Sequence, residues 1–70
     1  MKVTLRNKQT REFLGEDGKW VPSGLQARNF GFTDHALSHC AELGHPHVHV
    51  YYIFDDPAMN FGSSKPCGVA

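Results

Sequence analysis

Apolar and polar residues alternate over residues 2–7, KVTLRN, with Val3 and Leu5 on one face. A period of two predicts a β-strand. REFL at 11–14 is a second short strand candidate, followed at 15–18 by GEDG, two glycines bracketing two acids. That is turn composition. KWV at 19–21 then reads as the return strand of a hairpin, ended by Pro22, which has no N–H to donate to a ladder. Residues 22–32, PSGLQARNFGF, form a connection, with Phe30 and Phe32 as its anchors in the core.

The period changes at TDHALSHCAELG, residues 33–44. Thr33 is a good N-cap residue, and Asp34 sits favourably at the positive end of a helix dipole. Gly44 supplies the stop. Ala36, Leu37, Cys40 and Leu43 recur at helical spacing and define the expected buried face. HVHVYYIF at 47–54 is the strongest strand, rich in β-branched and aromatic residues and broken by DDP at 55–57. Within it Val48, Val50, Tyr52 and Phe54 form the more apolar set and face the helix, leaving His47, His49, Tyr51 and Ile53 on the opposite sheet face. The last stretch, NFGSSKPCGVA, is rich in Gly and Ser and reads as a frayed end. The expectation is a single α+β domain over residues 1–57, with 58–70 as a flexible C-terminal tail. Its two layers are one helix and a three- or four-stranded sheet, in the order β-β-β-α-β.

Composition narrows the function classes. With 70 residues, 40% of them hydrophobic and 20% charged, the chain is globular. A domain of this size buries only about 60% of the surface its unfolded chain exposes. Lys+Arg and Asp+Glu balance at 7 each, which disfavours nucleic acid and anionic membranes as partners. No apolar run approaches the ~20 residues of a bilayer span, and MKVTLRNKQT has no apolar signal core. A cytoplasmic location is expected, with Cys40 and Cys67 kept as thiols.

Gly18-x-Trp20, Ala27-x-x-Phe30, a Thr33-capped helix carrying Ala36-Leu37, Cys40 and Leu43, and a strand closing on Phe54 to Pro57 make a recognisable series. It resembles a group of short bacterial proteins of unknown function, over about residues 12–57. The resemblance implies a compact α+β fold. It brings no activity and no functional residues, and the histidines lie outside its pattern.

Those histidines are the conspicuous chemistry. HPHVHV at 45–50 places His45, His47 and His49 at alternate positions, with His35 and His39 upstream. Imidazole is a good ligand for zinc and its neighbours. His35 and His39, i and i+4 on a helix, stand about 5–6 Å apart at Cβ, with Glu42 further along the same side. Alternate strand residues are about 6.6 Å apart. On the predicted fold, however, the helical set points to solvent and the strand set to the far sheet face, about 10 Å or more away. Two ligands per surface fall short of the three or four that zinc needs. The metal candidate is therefore His45, His47 and His49, completed across a dimer. The simpler expectation is locally solvated histidines.

The other constellations point to structure. Cys40 beside His39 or His35 suggests a nucleophile pair, but its apolar helix position fits a core cysteine. Glu16–Asp17 and Asp55–Asp56 lack the ligand count of a calcium loop. Trp20 with Lys19, Arg6 and Arg11 offers a stacking surface, yet a small domain needs its one Trp in the core. No catalytic triad, P-loop or Cys-x-x-Cys occurs, and no enzyme activity is expected. One helix cannot cover both sheet faces, so the stripe of His47, His49, Tyr51 and Ile53 is expected to meet a partner, a second copy in a homodimer first and another protein otherwise, the alternative being that the N-terminal segment or the C-terminal tail folds over it. The expected function is thus a small non-enzymatic interaction or self-association module that needs no cofactor. Zinc-like binding through His45, His47 and His49 is the alternative, and nucleic-acid binding the second.

Overall fold

The computed structural model describes residues 1–68. It contains five strands, β1 (Lys2–Asn7), β2 (Phe13–Leu14), β3 (Trp20–Val21), β4 (Val48–Ile53) and β5 (Phe61–Pro66), one α-helix, α1 (Thr33–Leu43), and two short 3-10 turns at Gly24–Gln26 and Pro57–Met59. The strands form one antiparallel sheet in the order β3-β2-β1-β4-β5. The α+β class and the helix-on-sheet layering are as expected. The strand count is five, not three or four.

β1 and β4 make the spine, paired along their full length from Lys2–Ile53 to Asn7–Val48. The turn from β1 to β2 is built by Asn7, whose Oδ1 accepts from the N–H groups of Gln9 (2.9 Å) and Thr10 (3.2 Å). Arg11 takes the left-handed conformation there, at φ 64°. The strand alternation places Val3, Leu5, Val48 and Val50 under the helix, and all four are buried with Leu14, Ala36 and Cys40. Trp20, Phe30, Tyr52 and Cys67 close the margins of this core.

The helix presents a narrower stripe than its sequence suggests. Ala36 and Cys40 are its buried residues, while Leu37 is 49% exposed and Leu43 40%. Two small side chains one turn apart let the helix approach the sheet closely, and the larger leucines are left on its flanks. Phe32, expected as a core anchor, is exposed, whereas Phe30 packs on the core. Thr33 begins the helix without capping it; its hydroxyl lies 3.3 Å from the Tyr52 hydroxyl instead. Gly44 ends the helix in the left-handed conformation as expected, its N–H bonded to the Cys40 carbonyl.

The segment expected as a tail supplies β5. Asp56 Oδ1 accepts from Ala58 N–H at 3.0 Å and Asn60 Oδ1 from Phe54 N–H at 2.7 Å, which turns the chain back. Phe61 then stacks on Tyr52, with centroids 4.8 Å apart. Cys67 N–H donates to the Val48 carbonyl. Cys67 is bonded to Cys40 in a disulfide across 27 residues of sequence, with Cα atoms 4.8 Å apart. The two cysteines are therefore paired and not the separate thiols expected. Residues 69 and 70 of the expected tail lie outside the described residues. No helix among the described residues is long and apolar enough to cross a membrane.

Candidate functional site

The sheet face away from α1 is set by the same alternation. β1 contributes Lys2, Thr4 and Arg6, which stand opposite Ile53, Tyr51 and His49 of β4. β2 adds Phe13 opposite Arg6, and β3 adds Val21 opposite Phe13. Gly62 of β5 stands opposite Tyr51 and Pro66 opposite His49. α1 does not lie over this face, although among the described residues a short 3-10 turn, Gly24–Gln26, comes against one end of it. The face is uneven. Thr4 is fully buried and His49 is 6% exposed, whereas Arg6, Phe13, Val21, Tyr51 and Ile53 are half-buried.

Neighbouring elements explain this. At one end the connection before α1 folds in, so that Gly24 meets Ile53 and the Phe13 ring. Lys2 Nζ donates to the carbonyls of Gly24 (3.0 Å) and Ala27 (3.1 Å) and fastens that connection down. At the other end the His49 ring occupies the space that a side chain at Gly62 would take. His47, expected on this face, precedes β4 and is exposed.

Between these ends lies a cluster of rings around one cation. The Arg6 guanidinium carbon is 5.7 Å from the Phe13 centroid and 5.1 Å from that of Tyr51. The two rings meet edge to face at 5.6 Å, and His49 flanks Tyr51 at 5.8 Å. Stacking over aromatic faces holds a guanidinium through cation–π attraction. Among the described residues, three buried polar atoms on this face have no hydrogen-bond partner: Thr4 Oγ1, Arg6 Nε and His49 Nε2.

His49 Nδ1 lies 2.9 Å from the Ser63 carbonyl. A carbonyl can only accept, so Nδ1 carries the proton and the lone pair of neutral His49 is on Nε2. Burial pushes the His49 pKa below the ordinary 6.5, against the Ser63 hydrogen bond, which raises it; the charges of Lys8 and Arg6 push it down further. His49 is thus a neutral imidazole in a positive local field.

The proposed metal trio is not brought together. His45 and His47 have ring centroids 5.6 Å apart, and His45 Nδ1 accepts the His47 N–H at 3.1 Å. His49 is turned into the sheet. On the helix, His35 packs against Phe32 and His39 against Phe30, each at 5.4 Å. Among the described residues, no group of three or more His, Cys, Asp or Glu side chains converges on a metal-sized position. The Cys40–His39 nucleophile pair is also set aside, because Cys40 is bonded to Cys67. Trp20 packs at the margin of the core, not on a stacking surface.

Phe13 and Thr4 were absent from the sequence-predicted sites, and Arg6 was considered there only beside Trp20. The parity that buries Val3 and Leu5 already places Thr4 and Arg6 opposite them. What it lacks is the β1–β2 register that brings Phe13 beside Arg6. Compared with protein-family models, curated proteins and solved structures, the chain matches none, so the functional reading rests on this geometry.

Proposed function

We propose that the protein is a small non-enzymatic module that docks a protein partner on its outer sheet face. Phe13, Tyr51 and Ile53 supply the apolar contact, Arg6 the charge, and His49 a buried floor. The observation that carries this reading is the half-buried Phe13–Arg6–Tyr51 cluster on the sheet face away from α1. Aromatic and arginine side chains dominate the energetics of protein interfaces.

A partner of a different kind fits better than a second copy. A two-fold interface sets the same patch against itself, and the strand positions of this face carry Lys2 and Arg6 but no acid. Face-to-face pairing would confront like charges. The Cys40–Cys67 bridge supports a compartment in which disulfides persist. It removes the argument from free thiols that led to a cytoplasmic expectation.

The test is a photo-reactive phenylalanine analogue placed at position 51 or, as a control on the helix flank, at position 37. A partner cross-linked from 51 and not from 37 is then purified and titrated. Phe13→Ala and Tyr51→Ala should each weaken its binding about tenfold or more, with Leu37→Ala neutral. Equal cross-linking from both positions, or binding indifferent to Phe13 and Tyr51, overturns the reading.

A further inference from the structure

Arg6 is built as a fixed cation. Two aromatic rings hold its guanidinium, at 5.1 and 5.7 Å, so little side-chain freedom remains to be lost when an anion binds. Its Nε–H is buried without an acceptor, while the residue as a whole is only half-buried and part of the side chain reaches solvent. The Nε–H faces into the protein, whereas the terminal N–H groups are not among the buried unpartnered atoms and are the ones an anion can reach. Thr4 Oγ1, two positions along β1, is likewise unpartnered. Lys8 and Arg6 are the charges that act on neighbouring His49, and both push its pKa down.

We infer that Arg6 anchors a carboxylate of the partner, an aspartate or glutamate within an acidic segment, seated against Phe13 and Tyr51. This deepens the docking reading above and rests on it. A guanidinium edge matches a carboxylate through paired N–H···O bonds. A nucleic acid would need an extended track of cations, whereas this face offers Arg6 and Lys8, with Lys2 spent on backbone carbonyls. Arg28 is an internal control. It too stacks on an aromatic ring, Phe30, at 4.9 Å, but it lies beside α1 in an open groove of about 340 Å³ that also contains Glu42.

The experiment is a ¹H–¹⁵N NMR titration of the whole chain with its disulfide intact, following the Nε–Hε signals of Arg6 and Arg28. The probes are an acetylated tetraglutamate amide, inorganic phosphate and an eight-nucleotide oligothymidine. The expected result is a saturable shift of the Arg6 signal with tetraglutamate; the affinity, followed in parallel at the backbone N–H of Phe13, should be at least about fivefold weaker in Arg6→Lys, which keeps the charge but loses the planar fork. Arg28→Lys should leave the titration unchanged. No saturable shift at Arg6, an equal response at Arg28, or tighter binding of phosphate or oligothymidine overturns the inference. Cross-linking from position 51 separates the two ideas. If it finds a partner while Arg6 is silent, only the carboxylate assignment fails; if it finds none, the docking face fails.

Discussion

The imidazole of His49 lies over Gly62, so close that a Cβ at position 62 would overlap the ring. The absent side chain of β5 is what allows a histidine of β4 to be buried on the outer face and to bond Ser63. Gly62→Ala should therefore destabilise the fold by about 1–3 kcal/mol, through displacement of the ring or of β5. Urea denaturation checks it. In a His49→Ala background the same change should cost at least about 0.5 kcal/mol less, since the two positions are in contact.

The pH response follows from the same ring. His49 has a folded-state pKa below its unfolded value of 6.5. Above pH 6.5 both states are neutral and the His49 contribution to stability is fully present. Between 6.5 and the folded pKa the unfolded chain binds the proton first, so stability falls as pH falls through this window and then levels off. Wild type should lose more stability than His49→Gln on acidification through this range, as read by thermal melts. The Cε1–H resonance of His49 should titrate with a midpoint below 6.5.

The disulfide is expected to hold the C-terminal strand as well as the whole fold. It links the last turn of α1 to the residue that follows β5 and closes a separation of 27 residues. Loss of a bridge of this span costs about 2–4 kcal/mol. A Cys40→Ala/Cys67→Ser variant, or the wild type in reductant, should show that loss by urea denaturation. Amide exchange should rise most in β5, whose other ties include the Phe61–Tyr52 stack and the Cys67 N–H bond to Val48.

What the sequence discloses and what it hides divide along physical lines. Alternation fixed the phase of β1 and β4, because one buried sheet face forces the period of two, and Val48 and Val50 point inward as expected. Helix limits were legible from Asp34 and Gly44. β5 was not, because FGSSKP has little β propensity; its strand is made by long-range ties to Tyr52, Val48 and Cys40. The Arg6 cluster was half legible. Parity gives the face of Arg6, but only tertiary pairing puts Phe13 beside it.

Zinc offers a separate check on the histidines. His49 Nδ1 is engaged by Ser63, and its Nε2 is buried within the face. His45 and His47 are left as a pair of neighbouring rings, which is fewer ligands than a zinc centre uses. A metal that binds the native state specifically raises the melting midpoint. Excess zinc, compared with chelator, should leave the midpoint of this protein unchanged or lower it through binding to histidines of the unfolded chain. A rise that disappears in His45→Ala or His47→Ala would restore a metal role.

The sharpest test of the core is a pair of adjacent helix residues whose sizes mislead. Leu37 is the more hydrophobic by composition, yet it is 49% exposed, whereas Ala36 is fully buried against the sheet. Deleting the Leu37 side chain removes little that is shielded from water, so Leu37→Ala should change stability by no more than about 0.5 kcal/mol. Enlarging Ala36 must push α1 off Val3, Leu5, Val48 and Val50, which are packed beneath it. Ala36→Leu should cost about 1–3 kcal/mol, although hydrophobicity alone would score it as favourable. The displaced helix also carries Cys40, so the cost should shrink once the bridge to Cys67 is removed and the helix can lift. Denaturation of the single and combined variants measures both effects. A large loss at Leu37 with a neutral Ala36 would mean that the helix is rotated about its axis from the orientation described.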